Sequence, residues 1–423
     1  MTRVLVLSNF YPPDGHGGYE MSCADVMERL VRRGHEVTVL TSRYSRTGNG
    51  TPREEERSGV RVLRGLDLYW DDHRLVIPPR RRRLAVERAN QRRLRAALAA
   101  ARPDVVSVWN MGAMSFGLLT ALHRRGTPLV YAVCNDWLVW GPDMDAWSKG
   151  LSDRPLLRRL APALTRAPAG PSDLGTTGTF LFVSDWTRRL AEERSGSHYP
   201  DSSVVYSGIA PDDFPVRDDE ADRPWSWRLL FAGRLDPDKG VDTCIRALAR
   251  LPEATLEVIG PGSEQERTRV ERMAAELGVG DRMVMDDLAR SALATRYRAA
   301  DVVVFPSRWD EPFGLVPIEA MACGTPVVAT RTGGSAEVLL DGVNCIGFGR
   351  DDPDGLVRAV LMLAEDEELR RKLTSEGRKT AQALTVDGLA DCFEQWLTGA
   401  AGGFSDGRPP PRRLALPPAR AAG

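Results

Sequence analysis

The chain is short of lysine, of paired cysteines and of long apolar runs, and each shortage excludes something. Its six cysteines, Cys23, Cys134, Cys244, Cys323, Cys345 and Cys392, are scattered with no C-x-x-C pair. A zinc site or a disulfide framework is therefore not expected, and the thiols read as small buried residues of a protein kept in a reducing cytoplasm. No apolar stretch approaches the ~20 residues that span a bilayer. Met1-Thr2-Arg3 is followed only by the short run VLVL, which does not read as a secretory signal. A formal net charge of −1 leaves no basic surplus for nucleic acid. Of the 57 basic residues only Lys149, Lys239, Lys372 and Lys379 are lysine, so each lysine marks a place where arginine was not used.

What is present is the pattern of a two-domain α/β protein. With 423 residues, 42% hydrophobic and 27% charged, the chain is long enough for two cores. RVLVLSN (3–9) reads as a buried parallel strand. FYPPDGHGG follows, then a helix from about Tyr19 to Arg33 and the strand EVTVLTS. The turn is GHGG rather than G-x-G-x-x-G, and the second strand ends in Thr41-Ser42 with no acid for an adenosine ribose, which argues against NAD. Gly17-Gly18 at the helix start suits a phosphate or a close-packed sugar. Residues 80–103 form an arginine-loaded helix with Leu84, Leu94, Ala97 and Leu98 as its packing stripe. Its basic face, Arg80 to Arg95, reads as a solvated surface or as contact with an anionic membrane.

Further on, PLVYAVCNDWLVW places Asn135-Asp136 at a strand end, followed by Trp137, Trp140 and Trp147, which suit stacking or ordinary burial. Asp143-Met-Asp145 and Asp236-Pro-Asp238 have the spacing of a metal-binding D-x-D, but neither follows a strand as that motif requires. Residues 151–178 read as an irregular excursion. Ser184 or Asp185 caps the next helix, and Pro211 to Trp225, rich in acids and prolines, reads as the domain boundary. The α/β pattern then restarts with WRLLFAG and RLDPDKGVD. There Arg234 and Lys239, five residues apart beside a helix start, suit a diphosphate.

The richest stretch is FPSRWDEPFGLVPIEAMACGTPVVATRTGGSAE (305–337). A strand stops at Pro306 and a loop carries Glu311. A short helix begins near Leu315, with Pro317 in its first turn and Gly324 after its end. Glu319 lies on this helix. Two carboxylates thus flank a helix start whose unpaired N–H groups favour phosphate. Glu319 suits the vicinal hydroxyls of a ribose and Glu311 those of a pyranose.

GRLDPDKG together with EPFGLVPIE resembles the donor site of retaining GT-B glycosyltransferases of family 4 (group 1), and the resemblance runs over about residues 3–400. It implies two doubly wound Rossmann-like domains facing a central cleft. Residues 1–210 would bind the acceptor and 211–386 the nucleotide-sugar. Helix 387–400 would pack back on the first domain, and 401–423 would be a disordered tail. The implied catalytic set is Glu311, Arg234, Lys239 and Asp136. The donor would be held by Gly233, Arg234, Lys239, Gly260, Glu311, Phe313, Gly314, Leu315 and Glu319, and the acceptor or phosphate loop would comprise Gly17, Gly18, Asn135 and Asp136. Many members carry His where Asn135 stands, and Asn cannot act as a base. The reaction implied is retaining transfer from a nucleotide-diphospho-sugar to a small or lipid-linked acceptor, with no cofactor and no metal, in a bacterial cytoplasm or at its membrane face. A nucleotide-sugar 2-epimerase of the same fold, or a non-catalytic sugar-nucleotide binder, is the alternative.

Overall fold

The computed structural model describes residues 1–15, 17–45, 52–71, 74–151, 160, 163, 165–216 and 224–403. His16 of the GHGG turn, much of the 151–178 excursion, the middle of the 211–225 boundary and the tail from 404 onward lie outside the described residues. The chain forms two compact units. Among the described residues, the first is Met1–Tyr206 with Leu389–Gly403, and the second is Ser207–Gly388.

The first unit is built on eight strands: β1 (Arg3–Ser8), β2 (Glu36–Ser42), β3 (Glu54–Arg57), β4 (Val60–Leu66), and, after the small hairpin β5 (Trp70–Asp71) and β6 (Arg74–Leu75), β7 (Val105–Asn110), β8 (Leu129–Val133), β9 (Thr179–Phe182) and β10 (Ser202–Val204). They lie in the order β10-β9-β8-β7-β1-β2-β4-β3, all parallel except the edge strand β3. β7 and β8 are buried along their whole length, as strands covered on both faces must be, which explains their continuous Val/Leu/Tyr runs. Val106, Val108, Tyr131 and Phe180 form the centre of the core with Leu118, Leu122 and Trp137. The helix Val386–Gly402 completes this unit. Phe393 stacks on Trp109 with ring centroids 5.0 Å apart, and Glu394 takes His35 at 2.9 Å and Arg33 at 2.7 Å.

The second unit carries β11 (Arg228–Ala232), β12 (Thr255–Ile259), β13 (Met283–Asp286), β14 (Val302–Phe305), β15 (Val327–Ala329) and β16 (Ile346–Gly347). Their order, β13-β12-β11-β14-β15-β16, is the 3-2-1-4-5-6 of a doubly wound sheet, all parallel. The division falls at 206/207, four residues before the boundary read from sequence. The cause is a long-range pairing: Ile209 donates to Leu384 and accepts from Val386, and Gly208 lies so close to Thr385 that a Cβ there would meet its carbonyl at 2.3 Å.

Candidate active site

In a doubly wound sheet the crevice opens where successive connections leave in opposite directions, at the carboxyl ends of the strands. In the second unit that point lies between β11 and β14, paired through Phe231 and Val304. The loops emerging there are 233–240 and 306–314, the two stretches singled out by their cations and carboxylates.

Backbone contacts clamp these loops together. Gly240, at φ +73°, sits where a Cβ would lie 2.1 Å from the Pro306 carbonyl. Asp238 accepts hydrogen bonds from the backbone N–H groups of Arg308 and Trp309, at 2.8 and 3.1 Å. Gly260 carries the same logic: a Cβ there would lie 2.0 Å from the Gly233 carbonyl. Its visible task is to let the 233–240 loop seat on β12.

The side chains converge on Glu311. Lys239 Nζ lies 2.6 Å from its Oε1, and Ser307 Oγ donates to the same oxygen at 2.8 Å. Glu311 is only 6% exposed. Its backbone carbonyl accepts from Gly334 at 2.7 Å and Ser335 at 3.3 Å, and Gly333, at φ +59°, is required because a Cβ would meet that carbonyl at 2.6 Å. Arg234 stands half-exposed on the same loop, paired with Asp236 at 2.9 Å. Phe313 is buried. Gly314 (φ +91°) precedes the helix Leu315–Ala322, whose start has no side-chain cap, so its first N–H groups keep their donor capacity.

Glu319 is buried, and its Oε2 accepts from Tyr297 Oη at 2.8 Å, so one carboxylate oxygen already has a partner within the protein. Burial raises its pKa, against the opposing influence of Arg290 and of the Tyr297 hydrogen bond. Tyr297 and Ser307 were not singled out from sequence. Ser307, directly after the strand-ending Phe305-Pro306, had a local signal; Tyr297, 22 residues from its partner, had none.

The first unit has its own crevice between β1 and β7. Asn9, just beyond β1, donates to the Gly112 carbonyl at 3.2 Å and accepts from Tyr19 Oη at 2.6 Å. Gly17 N–H donates to Glu20 Oε2 at 3.0 Å, and Glu20 is buried. A carboxylate thus caps the helix start at which Gly17-Gly18 stands. The Glu20 charge also acts on Cys134, next to Asn135, whose thiol burial pushes up to about 12.

Asn135 Oδ1 accepts from Trp137 N–H at 3.1 Å, and Asp136 Oδ1 accepts from Trp140 Nε1 at 2.8 Å. Asp136, expected in the catalytic set, is therefore seen orienting an indole. Trp137 is wholly in the core, with Phe116 edge-on at 5.8 Å, so only Trp140 and Trp147 keep exposed surface for stacking. Asp145 is a buried cap, accepting from the N–H groups of Phe116, Trp147 and Ser148 at 2.9–3.1 Å, which explains its place in Asp143-Met-Asp145 without a metal.

Two family models match the chain: Glycosyltransferase Family 4 over residues 16–213 and Glycosyl transferases group 1 over residues 217–380. The chain is 30% identical over 403 residues to the GDP-mannose-dependent alpha-(1-6)-phosphatidylinositol monomannoside mannosyltransferase of Mycolicibacterium smegmatis, covering 89% of this chain and 93% of that one. A D-inositol 3-phosphate glycosyltransferase of Xylanimonas cellulosilytica is 40% identical over 166 residues, a match that spans 38% of this chain and 40% of the relative. Among solved structures, sucrose-phosphate synthase from Thermosynechococcus elongatus superposes with a TM-score of 0.71 at 23% identity, covering 93% of this chain and 98% of that one. This chain belongs to glycosyltransferase family 4 (group 1): it is a glycosyltransferase with the GT-B fold. The epimerase alternative is not favoured. No helix among the described residues is long and apolar enough to cross a membrane.

Proposed function

We propose that this enzyme moves a sugar from a nucleotide-diphospho-sugar to an acceptor hydroxyl with retention at the anomeric carbon and without a metal ion. The second unit would hold the donor and the first the acceptor. The observation that carries this reading is the Lys239–Glu311 pair, 2.6 Å apart at the β11/β14 crevice, beside the uncapped start of the helix Leu315–Ala322. Without donor, each side chain satisfies the other. A diphosphate takes Lys239 and leaves Glu311 to accept from sugar hydroxyls.

As the anomeric C–O bond to the phosphate breaks, charge gathers on the diphosphate. Arg234, Lys239 and the N–H groups of Gly314 and Leu315 are the groups aimed at it, and help of this kind is usually the largest catalytic term. The acceptor oxygen forms its new bond on the same face, and its proton passes to the departing phosphate oxygen. Asn135 is then under no demand to act as a base. The mannosyl donor of the Mycolicibacterium relative and the inositol-containing acceptors in the names of both relatives make GDP-mannose and cyclitol phosphates the first substrates to try. Six cysteines, none in a disulfide, favour a cytoplasmic site of action.

The test is calorimetric titration with UDP, GDP, ADP and dTDP in EDTA, followed by turnover of the matching sugars with and without acceptor, the product anomer read by NMR. Saturable metal-free binding of one diphosphate and acceptor-dependent turnover are expected. Failure of all four to bind would remove the Arg234/Lys239 assignment, and an inverted product would remove the same-face mechanism.

A further inference from the structure

The first unit buries one cation that neither crevice accounts for. β4 alternates residue by residue, with Val60, Val62 and Leu66 on its buried row. Arg64 stands in the same row and is 3% exposed. Among the described residues it is the one buried arginine, and no lysine is buried. A guanidinium leaves water at a high cost unless its charge and its N–H groups are met.

Both are met, and by two different segments. Nε and Nη2 donate to Glu55 Oε1 at 3.2 and 2.7 Å, which supplies the counter-charge from the edge strand β3. Nη1 donates to the Tyr11 carbonyl at 3.0 Å, and Nη2 also to the Pro12 carbonyl at 2.5 Å. Tyr11 and Pro12 are buried, and Pro12 and Pro13 bring no N–H of their own to the loop. Buried carbonyls there need a donor from elsewhere, and Arg64 is that donor.

The same loop is fixed at both ends. Asn9, at its start, donates its N–H to the Asn110 carbonyl at 2.9 Å, and its own C=O accepts from Ser42 N–H at 3.3 Å. At its end Gly17 N–H donates to Glu20, and Gly17 and Gly18 are exposed. Arg64 holds the middle. An ion pair buried in this way is weak support for stability, because apolar side chains of similar volume do as well. What a guanidinium adds is two donors in one plane at a fixed spacing, which sets where a backbone runs.

We infer that Arg64 is a positioning residue for the acceptor: its fork, balanced by Glu55, sets the course of the loop that presents Gly17 and Gly18. The inference rests on the reading of the first unit as the acceptor side. It also gives the exposed EEER strand a task, since without Glu55 the cation would be buried unpaired.

The test compares the full chain with Arg64→Lys and with Arg64→Met/Glu55→Met. Lysine keeps a charge for Glu55 but has no fork for the two carbonyls, and the methionine pair removes both buried charges at similar volume. Amide exchange read by mass spectrometry is expected to quicken about ten-fold over residues 14–20 in both variants and to stay unchanged over 233–240. With GDP-mannose and inositol 3-phosphate as probes, the acceptor KM is expected to rise about thirty-fold, while kcat and nucleoside diphosphate affinity stay within about two-fold. The methionine pair should melt at the wild-type temperature and still show the raised KM. Wild-type exchange and KM in Arg64→Lys would overturn the inference, because charge alone would then suffice. So would an equal loss of kcat or of diphosphate affinity, which marks a role in the fold at large. Faster exchange with an unmoved acceptor KM would place the acceptor elsewhere and overturn it too. If the wild type turns over neither probe, that counts against the donor and acceptor proposed above, and exchange alone decides whether the clamp exists.

Discussion

The two units share a doubly wound parallel sheet and a crevice at its switch point, yet they hold their crevice loops by different means. In the second unit the loops are locked backbone to backbone, through Gly240 on Pro306, Gly260 on Gly233 and Gly333 on Glu311. In the first unit the same position is held by side chains: Asn9 to Gly112, Tyr19 to Asn9, Glu20 to Gly17 and Asn135 to Trp137. Close backbone packing fixes atoms to within tenths of an ångström and leaves N–H groups directed outward, which suits an invariant anion such as a diphosphate. Side-chain networks rebuild with substitution and present amides and hydroxyls, which suits a polyhydroxyl ligand that differs between relatives.

That contrast can be broken most directly at Gly260. Gly260→Ala places a methyl 2.0 Å from the Gly233 carbonyl at a φ of +149°. We expect about 3 kcal/mol or more lost from the second unit, measured by denaturant unfolding, and loss of diphosphate binding. An unchanged midpoint would show that the loop has room the clamp denies. Next in size is Lys239→Ala, expected to lower kcat/KM about a thousand-fold and to weaken diphosphate binding, with Lys149→Ala, on the first unit's surface, as the silent control. Equal effects of the two would remove Lys239 from the phosphate. Glu311→Gln sharpens the division of labour within the site. Turnover should fall about a hundred-fold while diphosphate affinity stays within a few-fold, since the amide keeps the loop in place but loses the charge.

The smallest effect concerns the first unit. Burial, reinforced by the Asp145 charge, pushes Glu87 up to about 8. A carboxyl raised in the folded state binds its proton more tightly there than when unfolded. Folding stability from this group is therefore full below the ordinary carboxylate range and declines as pH rises toward 8, by on the order of 1 kcal/mol per pH unit. Glu87→Gln keeps an acceptor for Tyr69 without the titration. Its melting temperature should vary less than that of the wild type between pH 5 and 8, and parallel curves would discard the assignment.

Local signals were legible in the sequence and distant ones were not. The helix start at Leu315, its end before Gly324 and the cation loop were all readable, because capping glycines, prolines and charge spacing act within a few residues. Ser184, one of two candidate caps, proved to be the N-cap through its bond to Thr187 N–H. The β3–β4 hairpin passed unnoticed because EEER lacks an apolar alternation and pairs only as an exposed edge. Trp137 in the core, Tyr297 on Glu319 and the Ile209–Thr385 pairing depend on contacts between segments that no local pattern records.

The last helix has a consequence for biosynthesis. The first unit is not contiguous: Trp109 finds Phe393, and His35 finds Glu394, only after the whole of the second unit has left the ribosome. Until then a strip of its hydrophobic surface lacks its cover, while the second unit, encoded without interruption from Ser207 to Gly388, can fold as soon as it emerges. The first unit, begun first, is therefore completed last.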